Sequence, residues 1–149
     1  MPFIVDRSRS IISAMIVGRK VTALDVGWLR REVFADGVVT REAAEELFAV
    51  ERADIEKSPE WTDFFVEMVT DYALWQARPT GALNETQAEW LLEQADSCMT
   101  VTALAALVNV LGEAHLAPRW FLAAVRARAH RQWKGLDLVV TAPPLALAG

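Results

Sequence analysis

The most constraining stretch of this sequence is residues 59–77, in which large apolar side chains recur at spacings of three and four residues. These side chains are Trp61, Phe64, Phe65, Met68, Val69, Tyr72 and Trp75. A helix has about 3.6 residues per turn, so this spacing places all seven on one face, which must be buried against other elements. Ser58-Pro59 supplies a start signal, because serine caps helices and proline is tolerated at the first helical position. We call residues 59–77 the aromatic helix.

Five further segments combine a helix start signal with helical apolar spacing. The start signals are Thr22, Thr40, Asn84, Thr100 and Pro118. The first four can cap free backbone amides with a side-chain oxygen, and proline is accepted in a first turn. The predicted helices cover residues 22–34, 41–56, 85–95, 101–114 and 119–134. The sequence thus predicts an all-α fold of about six helices. The helix over residues 101–114 is apolar on nearly every face, so we expect it to be the central, most buried one.

A weak internal repeat organises these helices. Trp28 and Thr40 recur as Trp90 and Thr100, at offsets of sixty-two and sixty positions. We therefore expect two pseudo-repeated helical hairpins that are arranged around the aromatic helix, which links them in the chain. Gly37 is predicted to form the turn of the first hairpin with a positive φ.

The two ends of the chain have a different character. Residues 11–17 and 136–141 are short β-branched runs without helical spacing, which predict a pair of short terminal strands. We expect a single helical domain over residues 22–135, preceded by an N-terminal extension (1–21) and followed by a C-terminal tail (136–149).

The composition narrows the class of protein. The chain has 149 residues, of which 53% are hydrophobic, and a net charge of -5, which fits one globular domain. Cys98 has no partner for a disulfide or at metal-ligand spacing, which favours a reducing compartment. The longest weakly polar run is shorter than the roughly 18 residues that indicate a membrane span. We expect a cytoplasmic protein that is not bound to a membrane and carries no cofactor.

The charges are segregated along the chain. Residues 1–31 carry net +4 and residues 115–149 carry net +4, whereas residues 32–71 carry net -9 and residues 72–114 carry net -4. Basic ends that fold back onto an acidic middle are the simplest explanation, since opposite charges attract at short range. An acidic centre would repel phosphates, so we do not expect nucleic acid as a partner.

Three carboxylates of the aromatic helix form an acidic stripe, which we define as Asp63, Glu67 and Asp71. Their four-residue spacing puts them on one face, where like charges destabilise an isolated helix by a few tenths of a kcal/mol per pair. Three interpretations stay open. The stripe is solvated, it pairs with basic residues from the chain ends, or it binds a divalent cation or a basic partner.

The sequence Ala-Asp-Gly-Val-Val-Thr-Arg-Glu at residues 35–42 resembles the signature of TerB-like proteins, the tellurite-resistance and stress-associated helical family. The resemblance implies a compact helical domain associated with metal-stress or signalling assemblies. Of the family's acidic positions, Asp36 and Glu42 match, and the resemblance implies that a metal site would use these two. Val38 departs from the family pattern, in which an acidic residue follows the glycine.

Sequence motifs for catalysis are missing from the chain. It has no Gly-x-Ser-x-Gly turn and no glycine-rich phosphate loop. Trp90 and Trp120 lie off the apolar stripes of their predicted helices, and exposed tryptophans often mark interaction surfaces, although burial under a terminal segment would explain them equally well. We therefore expect a non-enzymatic TerB-like domain that binds an unknown protein partner or a cation. The alternative is a small helical enzyme or ligand-binding protein with a tryptophan-lined pocket between the hairpins.

Overall fold

The computed structural model describes residues 13–38, 40–76 and 78–130, and most of these residues are helical. The helices are α1 (residues 13–18), α2 (Ala23–Trp28), α3 (Arg41–Arg52), α4 (Pro59–Thr70), α5 (Glu85–Cys98), α6 (Val101–Glu113) and α7 (Arg119–Ala129). The predicted all-α class is confirmed. The predicted tail over residues 136–149 lies outside the described residues.

The predicted caps account for where four of the helices begin. Thr22 Oγ1 accepts a hydrogen bond from the Asp25 amide at 3.2 Å, and the Asp25 carboxylate accepts one from the Thr22 amide at 2.9 Å. This reciprocal arrangement satisfies amides that have no partner inside the helix. Thr40, Asn84 and Thr100 each accept a hydrogen bond from the amide three residues later. These start signals were therefore correctly assigned from the sequence.

Helices α2 and α4 each continue into a π-helical turn, over Leu29–Val33 and Asp71–Trp75 respectively. A π turn holds more residues than an α turn, so side chains toward its end and beyond it rotate away from the stripe that the α-helical spacing predicts. Trp75 shows the effect, because it is 40% exposed instead of buried with the rest of the aromatic face.

Two short strands connect distant parts of the chain. Strand β1 (Lys20–Val21) pairs in parallel with β2 (Glu56–Lys57), which ties the start of α2 to the start of α4. The prediction of a terminal strand at residues 11–17 is wrong over 13–17, which form α1. A helix satisfies its own backbone hydrogen bonds without a partner strand, and α1 buries Met15 in the core. The predicted partner strand, residues 136–141, lies outside the described residues.

The core is assembled on α4, which packs against α2, α3 and α6. Trp61, Phe64 and Phe65 of α4 are almost completely buried. Phe48 of α3 meets Phe65 edge-on with 5.0 Å between ring centroids, and Phe34 meets Phe64 at 6.0 Å. The aromatic helix is thus the common packing partner of the elements that precede and follow it.

The second hairpin consists of α5 and α6, which pack directly against each other. Met99 joins them in a left-handed conformation with φ of 55°, whereas Gly37 supplies φ of 82° between α2 and α3. The positive φ predicted for Gly37 is confirmed. Within the described residues, no helix is long and apolar enough to cross a lipid bilayer.

The turn at Gly37 provides a test of the fold. A Cβ atom at this position would collide with the side chains of Asp71 and Gln76, and the positive φ disfavours any residue with a Cβ. We expect Gly37→Ala to lower the free energy of unfolding by about 1–3 kcal/mol in urea denaturation. Gly18→Ala is the matched control, because a Cβ there meets nothing within 4 Å. Equal stability of the two variants would contradict the role assigned to Gly37.

Candidate functional site

A groove of about 1050 Å³ lies between α4 and α6 and is open to solvent. Its floor is apolar and consists of Val66, Val101, Leu104, Ala105 and Val108. Val108, at the middle of α6, is 49% exposed. We expected residues 101–114 to form the most buried helix. Helix α6 does bury Ala103, Leu104, Ala106, Leu107 and Val110, but Val108 and Gly112 on its groove side are exposed. The apolar character of α6 on all sides was the sequence signal for this floor.

The acidic stripe borders the groove along α4. Asp63, Glu67 and Asp71 all line it, as their four-residue spacing on one helix face requires, and Glu113 joins them at the C-terminal end of α6. The groove therefore combines an apolar floor with carboxylates on one side and at one end.

The three carboxylates of the stripe have different surroundings. Asp71 accepts hydrogen bonds from the Val38 amide at 3.2 Å and from the Gln76 side chain, so it holds the turn after α2 against α4. Glu67 accepts a hydrogen bond from Arg30 at 2.8 Å in an exposed ion pair. Among the described residues, Asp63 has no hydrogen-bond or ion-pair partner. A basic residue from the N-terminal part of the chain thus pairs with Glu67, whereas Asp63 is exposed and has no partner within the described part of the chain.

A hydrogen-bond network closes the end of the groove near Glu113. The Asn109 amide donates to Thr70 Oγ1 at 2.8 Å and to Glu113 Oε2 at 3.2 Å, and Trp75 Nε1 donates to Glu113 Oε1 at 3.2 Å. These donors are neutral, so they orient the Glu113 carboxylate without cancelling its charge. At the other end, the hydroxyls of Thr62 and Thr102 lie 3.3 Å apart and link the two helices.

The two tryptophans predicted as partner contacts lie in different environments. Trp90 is 6% exposed, and its ring meets Phe48 and Tyr72 edge-on while its Nε1 donates to Glu45 at 2.9 Å. The exposure expected of Trp90 is not found, because the side chain is part of the core. A contact of Trp90 with a partner stays a prediction. Its position off the apolar stripe reflects the hydrogen bond of its indole to a surface carboxylate.

Trp120 is 37% exposed at the start of α7, where its Nε1 donates to Glu85 at 3.4 Å. It lies outside the groove. Its role in partner binding stays a prediction.

The carboxylates implied by the TerB-like resemblance, Asp36 and Glu42, are both exposed. Within the part of the chain that the structure describes, no group of three or more His, Cys, Asp or Glu side chains is arranged to hold a metal ion. Calcium requires six to eight oxygen ligands that converge from several directions. A metal site at Asp36 and Glu42 stays a prediction without geometric support.

The cysteine thiol is a weak candidate for a nucleophile. Burial and, to a smaller extent, the nearby charge of Glu51 together raise the pKa of Cys98 to about 11. The thiol is therefore protonated at neutral pH, and the thiolate is the reactive form of cysteine. Cys98 Sγ instead lies 3.5 Å from the Phe48 carbonyl oxygen, to which it donates.

No protein-family model, characterised protein or solved structure matches this chain. The function has to be inferred from the groove itself.

The different surroundings of the acidic stripe lead to a stability prediction. Asp71→Ala removes the acceptor for the Val38 amide, and the loss of a hydrogen bond to a charged group costs about 1.5–3 kcal/mol. Asp63→Ala, two turns away on the same helix face, removes no such bond and should change the free energy of unfolding by less than about 0.5 kcal/mol. Urea denaturation of both variants measures the difference. Similar losses for the two would mean that Asp71 does not hold the turn.

Proposed function

We propose that this protein is a non-enzymatic helical domain that binds a partner protein through the groove between α4 and α6. The observation that carries the proposal is the solvent-exposed apolar floor around Val108, bordered by carboxylates. Contiguous exposed apolar surface with a polar border is typical of protein-interaction sites. Because covering such a floor removes apolar area from water, association with a complementary surface is favourable.

A protein partner is better supported than a cation. Successive carboxylates of the acidic stripe are about 6 Å apart along one helix, and Asp71 and Glu67 already accept hydrogen bonds from neighbouring residues. A divalent cation would have to displace these contacts and still gather oxygens from other segments.

The alternative of an enclosed ligand pocket lined by tryptophans has less support. Trp75 is the one tryptophan among the described residues that lines the groove, at its end. Small-molecule sites enclose most of the ligand surface, whereas this groove is open along one side.

The resemblance of residues 35–42 to TerB-like proteins supports a stress-related or signalling context for the partner. This context is part of the proposal and depends on that resemblance alone.

The proposal is tested by placing a charge on the groove floor. We expect Val108→Asp to reduce binding of the native partner by at least about tenfold, because a carboxylate would be desolvated against an apolar surface. The partner is first identified by mass spectrometry of proteins that co-purify with the tagged wild-type chain from its native host. Its affinity for each purified variant is then measured by isothermal titration calorimetry.

Leu122→Asp is the matched control, because Leu122 is 43% exposed on α7 and lies outside the groove. Circular dichroism establishes that both variants keep the helical fold. Loss of partner binding in Leu122→Asp but not in Val108→Asp would contradict the proposed site.

A further inference from the structure

The walls of the groove restrict the backbone conformation of whatever fills it. Both walls are helices, whose backbone amides and carbonyls are already paired within α4 and α6. An extended segment placed on the apolar floor would find no backbone partners there, and unpaired buried polar groups are costly. A helix satisfies its own backbone groups, so it can be laid on this floor without that cost.

The dimensions and the side chains of the floor suit a helix. The α6 residues that line the groove, which are the four α6 residues of the floor and Gly112, follow the three- and four-residue spacing of one helix face over 101–112, which corresponds to a length of about 16 Å. This length is three helical turns. Ala105 and Gly112 are small, and a Cβ atom at Gly112 would meet nothing within 4 Å, so another helix can approach α6 closely.

The charge around the groove specifies the polar side of the incoming helix. Of the four carboxylates that line it, Glu67 is the one in an ion pair among the described residues, with Arg30. Asp63 and Asp71 lie two turns apart on the α4 side, and Glu113 lies at the end of α6. Among the residues that the structure describes, none of those lining the groove is lysine or arginine. The groove is therefore complementary to cationic side chains along the edge that faces α4.

We infer that the groove binds an amphipathic helix of the partner, with an apolar face on the α6 side and lysine or arginine residues toward Asp63 and toward Glu67 Oε1, the oxygen for which no contact with Arg30 is found. This inference rests on the proposed function and specifies the chemistry of the partner. Three turns of helix provide apolar side chains at positions i, i+3, i+4 and i+7, the spacing by which helices dock into grooves. The exposed carboxylate of Asp63 is the first that a partner cation would meet without breaking an existing contact.

Three fluorescein-labelled peptides of about 16 residues test the inference with the full chain in fluorescence anisotropy titrations. The first has leucine and alanine on one helical face and lysine on the flanks. The second replaces the lysines by glutamate, and the third has the composition of the first with two central prolines that prevent a helix. We expect the first peptide, the lysine peptide, to bind saturably and more weakly when salt is added, and the other two not to bind.

Charge reversal locates the contact. We expect Asp63→Lys/Glu67→Lys to weaken binding of the lysine peptide by about tenfold, since each exposed pair contributes modestly and reversal adds repulsion. The matched control is Glu89→Lys/Glu93→Lys, which makes the same charge change at the same spacing on the exposed side of α5, outside the groove. Its affinity should stay within about twofold of the wild type.

Three results would overturn the inference. The first is that the glutamate or proline peptide binds as tightly as the lysine peptide. The second is that Glu89→Lys/Glu93→Lys weakens binding of the lysine peptide as much as Asp63→Lys/Glu67→Lys does. The third is a dimer of the full chain, measured by analytical ultracentrifugation, that the α4 double variant abolishes, because a second copy would then fill the groove.

If no peptide binds while Val108→Asp still abolishes partner binding, the helix assignment fails and the proposed function stands. If Val108→Asp leaves partner binding intact, the proposed function fails.

Discussion

Burial of the aromatic face of α4 is the interaction on which the rest of the structure depends. Trp61, Phe64 and Phe65 are almost completely removed from solvent, and each such side chain stabilises the fold by about 1.5–3 kcal/mol. Because α2, α3 and α6 all pack on this one helix, removing its aromatic side chains would affect the interfaces of α4 with all three. The carboxylates occupy the face of α4 that these helices leave uncovered. The same helix thus organises the core and supplies the acidic border of the groove.

The groove follows from how α6 meets α4. Two packed helices leave a furrow along their line of contact, and further helices or polar side chains commonly cover it. Here α6 presents valine, leucine and alanine to the furrow, while α4 presents carboxylates. Hydrogen bonds at both ends fix the separation of the two helices, through Thr62 with Thr102 and through Asn109 with Thr70. A surface held in this way is already formed before a partner arrives, which reduces the entropy cost of binding.

Helix starts and the buried face of α4 could be predicted from the sequence, because caps and three-four spacing are local signals. Trp75 could not be placed correctly, since three-four spacing assumes an α-helix and does not reveal the π turn that contains Trp75. The exposed face of α6 could not be predicted either. A helix that is apolar on nearly every face is expected to be buried, and its sequence does not show which face contacts solvent. The burial of Trp90 could not be predicted from its position off the apolar stripe, because its indole is buried together with a hydrogen bond to Glu45. The acidic stripe follows from local spacing. The different roles of its members, with Asp71 holding the turn and Glu67 in an ion pair, depend on contacts from residues 33 to 37 positions away in the chain.

The central claim is that the groove between α4 and α6 is the binding surface. Amide chemical-shift mapping of the 15N-labelled chain during titration with its identified partner tests this claim directly, because it reports on every face at once. We expect the largest shifts at residues of α6 that line the groove, namely Val101, Ala105, Val108 and Gly112. Shifts concentrated around Trp120 and Leu122 on α7, with the groove amides unchanged, would contradict it.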